Sequence, residues 1–201
     1  RFNPDLRVTY IDVGQGSSAL IQLPGKERIL IDGGGNLSGS FDTGRMVVAP
    51  FLFSRKIHRI DYIVLSHPHP DHLNGLSFIA GNFGPKEFWH NGQDADTPEF
   101  GELMKTIKKN DVKILLPEDL SGGREIAGAR IELFHPAADD NSLYTGAAKE
   151  DTGMNNNSLV LKITYKGKSF LFPGDIEKKA ETSVVSSAGA RIKSDILLVP
   201  H

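Results

Sequence analysis

The chain contains no cysteine. That absence excludes disulfides, thiolate metal sites and a cysteine nucleophile, and it leaves histidine, carboxylate and water as the ligands open to a metal ion. It also leaves the redox compartment undetermined. Long apolar runs are missing too. None reaches about 18 residues and no leader pattern opens the chain, so the chain as given is expected to be soluble, with no lipid contact of its own. Charge of one sign is equally scarce: 23 Lys and Arg stand against 25 Asp and Glu, a net charge of −2. Without a global basic field, contact with a polyanion would have to come from a local patch or from bound metal. The 201 residues suffice for one domain, 1–201, with a substantial core.

What the chain does have is histidine concentrated in one place. Ser66-His67-Pro68-His69-Pro70-Asp71-His72 follows the apolar run Ile60 to Leu65 and precedes Leu73 to Ala80. Imidazoles and a carboxylate packed this densely make a poor core filling, because each needs a buried partner. A metal supplies that partner. His67 and His69 alternate, so in an extended segment they leave the backbone on the same side and can share one ion. Pro68 and Pro70 favour that conformation by excluding the residue before each from the α region. Asp71 and His72 are adjacent and diverge, which suits a second ion or the start of a helix. Two ions close together is the expected outcome. A histidine-rich surface turn is the competing reading, and the position of the whole string between a strand and a helix counts against it.

The remainder reads as scaffold. Leu6 to Val13 alternates as a strand and runs into Gly14-Gln15-Gly16-Ser17-Ser18; Ala19 to Leu23 and Arg28 to Ile31 form a hairpin through Pro24-Gly25-Lys26. The returning strand ends in Asp32-Gly33-Gly34-Gly35, which has neither the spacing of a dinucleotide fingerprint nor a P-loop lysine. Helical spacing is expected over Phe41–Ile57, with His58 on the surface, and then a strand over Asp61–Leu65. A short helix over Leu73–Ala80, a strand over Lys86–Trp89, a helix from Thr97-Pro98 to Asn110 and a strand over Val112–Leu116 complete a β-α-β pattern. His90 ends a strand and could touch substrate, and His135 reads as a strand-end histidine. A hairpin through Gly128, a long loop over Ala137–Asn157, a hairpin from Ser158 to Phe172 through Lys166-Gly167-Lys168, a helix over Ile176–Ala188 and a strand over Ile196–Val199 follow. The strands ending near residues 65, 173 and 199 each lead to a ligand-type residue: the histidine string, Asp175 and His201.

The H-x-H-x-D-H string resembles the signature of the metallo-β-lactamase fold superfamily, hydrolases that hold one or two metal ions at the edge of an αββα sandwich of the α/β class. The resemblance implies that Asp32 braces the ligand loop, that Asp175 bridges two metals and that His201 completes the second. The third histidine of the first site has no counterpart, and Asn155-Asn156-Asn157-Ser158 stands in its place. An amide oxygen such as that of Asn155 is a harder ligand than imidazole, which predicts less preference for zinc and more tolerance of manganese. Together with Asp12-Val13-Gly14-Gln15-Gly16, Pro173-Gly174-Asp175 and Leu198-Val199-Pro200-His201, these motifs resemble the hydrolase-like domain of ComEC-type competence proteins, over essentially the whole chain. The family departs from this chain at Ser17, where it usually carries aspartate, and past His201, where it continues with a second histidine, glycine and serine. The resemblance therefore implies a sandwich lacking its C-terminal end, cut from a longer protein of the bacterial inner membrane with this domain extracytoplasmic and a transmembrane channel part as neighbour. It implies DNA as substrate, one or two Mn or Zn ions as cofactor, and phosphodiester hydrolysis with Asp71 and Asp175 as catalytic carboxylates. Two other readings stay open: hydrolysis of a lactam, thioester or cyclic nucleotide, and a degenerate domain that only binds metal, DNA or a partner.

Overall fold

A computed structural model describes residues 4–36, 41–137 and 153–199. The first sheet begins with β1 (Arg7–Tyr10), β2 (Ala19–Gln22) and β3 (Arg28–Ile31), paired antiparallel, and continues in parallel through β4 (Tyr62–Leu65), β5 (Glu87–His90) and β6 (Lys113–Leu115). The second contains β7 (Arg124–Ile126), β8 (Ala129–His135), β9 (Val160–Tyr165) and β10 (Lys168–Phe172), all antiparallel, with β11 (Ile196–Leu197) parallel to β10 at its edge.

The period of two decides how these sheets stack. In β4, Tyr62 and Val64 join Ile29, Ile31 and Trp89 between the sheets, facing Ile131, Leu161, Ile163 and Phe172 of the second sheet. Ile63 and Leu65 point the other way, with Leu30 and Phe88, into helices α1 (Ala49–Ser54), α3 (Leu76–Asn82) and α4 (Pro98–Lys109). Burial on both faces is why the parallel strands read as unbroken apolar runs. On the far side, Phe134 and Val160 pack against Ala180, Val184 and Ala188 of α6 (Lys178–Ala188). Helix, sheet, sheet, helix is the αββα sandwich expected from the histidine string.

Local differences have local causes. The helix expected over Phe41–Ile57 is a π-turn over Gly44–Val48 followed by α1, because Pro50 lacks an N–H and sits in the first turn, where none is needed. The helix expected over Leu73–Ala80 divides into α2 (Pro70–Leu73) and α3, with Gly75 at the junction. Thr97 caps α4 as expected, its Oγ1 accepting the Phe100 N–H at 3.3 Å. One short helix, α5 (Pro117–Leu120), had no periodic signal at four residues. The final strand shortens to Ile196–Leu197, and within the long loop expected over Ala137–Asn157 a 3₁₀ turn forms over Asn155–Asn157; residues 138–152 of that loop lie outside the described residues.

Candidate metal centre

Strand register carries the loops to one edge. Ile31 pairs with Val64 in parallel, so Asp32 leaves β3 beside the segment that leaves β4. Its φ of 58° is left-handed, a conformation aspartate tolerates better than most residues. The carboxylate then meets the histidine loop from behind. Oδ1 accepts the Ser66 N–H at 2.8 Å, and Oδ2 accepts the Ser66 hydroxyl and His72 Nδ1–H, each at 2.8 Å. Asp32 is only 2% exposed, so these three donors stand in for the water it lost.

Pro70 opens α2, with His69 as an extended N-cap. Helical backbone through Asp71 and His72 turns the His72 ring back toward His67, and the ring centroids lie 4.3 Å apart. His67 and His72 are fully buried. His72 Nε2 faces Asp175 Oδ2 at 3.2 Å, across 103 residues of chain. One ligand atom from each of His67, His72 and Asp175 lies within 4.8 Å of the other two. His69 adjoins the group, its Nδ1 at 3.1 Å from His67 Nε2, while Ser66 Oγ lies 3.1 Å from His67 Nδ1.

Burial alone would lower the pKa of His72, but the charge of Asp32 and the hydrogen bonds to Asp175 and Asp32 outweigh it and push the imidazole up to about 10. Without a cation, then, a proton supplies the positive charge between two buried carboxylates. This donor set fits a divalent ion: nitrogen and oxygen ligands converge, and Asp32 behind His72 is the carboxylate–histidine support found around metal ligands. His67, His72 and Asp175 would hold the ion, with His69 at its border.

The other sequence-predicted residues fall as follows. Asp71 is half-buried in α2; its backbone oxygen accepts the Ser17 N–H at 3.2 Å, and it stands outside the three-residue group. Asn155 lies on the 3₁₀ turn, its Nδ2 donating to Glu177 Oε1 at 3.2 Å. His201 lies outside the described residues. His90 reaches the same sheet edge, opposite Leu65, but stacks on Phe88 at 5.1 Å instead of joining the ligands. His135 Nε2 donates to Asn156 O at 2.7 Å, which secures the asparagine turn. His58 is exposed, as expected.

Sequence reasoning missed three supporting residues. Ser66 links Asp32 to the histidines, Ser158 Oγ accepts the Asp175 N–H at 3.2 Å, and Glu177 holds both Asn155 and Asn156. A serine directly before the histidine string was the only signal among them. The two sheets are joined here by Leu159 N–H to Ser66 O at 2.9 Å. A cavity of about 120 Å³ opens beside His72 and Asp175, walled on one side by Leu159, Leu161 and Phe172.

Comparison with known proteins agrees with this architecture. The family model described as the metallo-beta-lactamase superfamily matches residues 11–201. The chain is 28% identical to ComE operon protein 3 of Bacillus subtilis, over 96% of this chain and 25% of that protein. It is 26% identical to competence protein ComA of Neisseria gonorrhoeae, over 96% and 23%. It thus spans about a quarter of the length of the curated relatives it matches. Among solved structures, an archaeal metallo-beta-lactamase superfamily protein from Sulfolobus tokodaii superposes with TM-score 0.55 at 14% identity, over 98% of this chain and 81% of that one. CmlA, a diiron beta-hydroxylase from Streptomyces venezuelae, gives 0.53 at 16% identity, over 96% and 34%. At such identities these likenesses concern the fold alone.

Proposed function

Because the chain belongs to the metallo-beta-lactamase superfamily, whose members are generally metal-dependent hydrolases, we propose that it is a hydrolase domain cleaving DNA phosphodiesters in the service of DNA uptake. The convergence of His67, His72 and Asp175 within 4.8 Å of one another carries the hydrolase half of this reading. Two relatives named for the ComE operon and for competence support the DNA half, and so does the resemblance of the motifs to ComEC-type domains. On this reading the domain belongs to a longer protein of the bacterial inner membrane, faces away from the cytoplasm and works beside a transmembrane channel part. No helix among the described residues is long and apolar enough to cross a membrane, so the membrane-spanning part would lie elsewhere in that protein.

Hydrolysis adds water across one P–O bond and leaves a phosphomonoester and an alcohol. A divalent ion supplies Lewis-acid charge for the phosphate oxygens and makes a bound water acidic near neutral pH. The protein groups do the rest. Asp32 holds His72 by Nδ1, so Nε2 is directed toward Asp175; Ser66 holds His67 in the same way. Asp71 and Asp175 are the carboxylates assigned to orient the attacking water and take its proton. Buried histidines and a cavity with an apolar wall limit bulk water near the reacting phosphate.

The test is an assay of the purified protein on single-stranded DNA with Mn²⁺, Zn²⁺ or Mg²⁺, with a β-lactam, a thioester and a cyclic nucleotide as rival substrates. Metal-dependent cleavage of DNA, abolished by chelator, is expected. Turnover of a rival substrate with intact DNA would overturn the DNA reading, and tight metal binding without any turnover would mark the domain as degenerate.

A further inference from the structure

Among the described residues, three buried side-chain atoms have no hydrogen-bond partner: Arg28 Nε, Asn74 Oδ1 and Asn155 Oδ1. Asn155 Oδ1 is the one tied to the Asp175 turn, since Asn155 O accepts the Ser158 hydroxyl at 2.8 Å and Ser158 Oγ accepts the Asp175 N–H. An acceptor buried without a donor costs about 1–3 kcal/mol, so its orientation needs a cause. Glu177 provides one. Its Oε1 accepts Asn155 Nδ2 at 3.2 Å and its Oε2 accepts Asn156 Nδ2 at 2.9 Å. An ionised carboxylate only accepts, so the Asn155 amide must present its nitrogen to Glu177, and its oxygen is forced to the opposite side. Asn156 is locked independently, because its Oδ1 accepts the Ala180 N–H of α6 at 3.2 Å and its backbone oxygen accepts His135.

We propose that Asn155 Oδ1 is a hard oxygen ligand of the divalent ion, aimed by Glu177, and that this pair sets the metal preference of the centre. The inference rests on the metal-centre reading above and is independent of which substrate is cleaved. A cation is the partner that satisfies a buried amide oxygen next to a buried carboxylate without requiring a further donor. Oxygen in place of imidazole moves the ligand set toward ions that favour oxygen, such as Mn²⁺, and away from Zn²⁺. Glu177 is then a positioning residue.

Calorimetric titration of the metal-stripped 201-residue protein with Mn²⁺ alone and Zn²⁺ alone decides the question, with thermal melting as the check on folding. Asn155→Ala should weaken Mn²⁺ binding by roughly tenfold or more, and Glu177→Gln by a smaller factor within the range measured for supporting residues. Asn155→His should shift the ratio of the two affinities toward Zn²⁺ by roughly tenfold. Unchanged Mn²⁺ affinity and stoichiometry in a folded Asn155→Ala protein would overturn the proposal. If that variant does not fold, an unchanged ratio in Asn155→His overturns it instead. Wild-type protein that binds neither ion would overturn both this inference and the metal centre, whereas binding that depends on Asn155 without DNA cleavage removes only the DNA reading.

Discussion

At the scale of single residues, the site depends on charges placed where water cannot reach. Asp32 donates nothing and accepts three hydrogen bonds behind the histidines. Replacing it with Asn removes the charge opposite His72 Nδ1 and turns one acceptor into a donor, so Asp32→Asn should weaken metal binding by about 10–100-fold in a calorimetric titration. His90 is the opposite case. Burial pushes its imidazole down to about 4, with the charge of Asp94 opposing. The unfolded chain takes up that proton near pH 6.5. Stability is therefore intact above about 6.5 and declines as pH falls toward 4, by about 3 kcal/mol in all at about 1.4 kcal/mol per unit. Urea unfolding of metal-free protein at several pH values should show a shallower decline for His90→Gln than for wild type. The histidine string was legible as a metal loop because its composition has no cheaper explanation. Ser66, Ser158 and Glu177 were not legible, since a serine or glutamate gains its role only from the residue it meets.

At the scale of elements, backbone contact between loops holds α2 in place. Gly75 N–H donates to Gly34 O and Gly33 N–H to His72 O, and a Cβ added at Gly75 would lie 2.1 Å from Gly33 O and 2.9 Å from Gly44 N. Backbone atoms cannot swing aside as a side chain can. Gly75→Ala should therefore destabilise the protein by about 1–3 kcal/mol, even though Ala is the better helix former. Gly101, inside α4, is the internal control: a Cβ there meets nothing within 4 Å, so Gly101→Ala should stabilise by about 0.5–1 kcal/mol. Chemical denaturation of the two variants checks both signs. Strand positions were readable from the period of two and from Pro and Gly punctuation, whereas the division of Leu73–Ala80 into α2 and α3 depended on this glycine contact across the chain.

At the scale of the whole molecule, metal binding and folding are linked through one buried cluster. The His72 proton stabilises the metal-free fold fully below about pH 6.5, and that contribution is lost as pH rises through about 10. At pH 7 His72 must give up its proton when a cation binds, so titrations in buffers of different ionisation enthalpy should report about one proton released per ion. Mn²⁺ or Zn²⁺ at about 100 times its dissociation constant should stabilise the fold by about 2.7 kcal/mol, seen as a higher melting temperature that chelator reverses. The sequence by itself determined the alternation of strands and helices, the metal-ligating character of the loop after β4 and the αββα arrangement, because hydrophobic period and ligand spacing are local properties. Only the tertiary structure decided that His67 is grouped with His72 and Asp175, that Asp32 reaches His72, and that Glu177 turns Asn155. Those contacts join segments up to 103 residues apart, and which ring nitrogen meets which carboxylate depends on strand register and on where α2 begins, neither of which any short stretch of sequence contains.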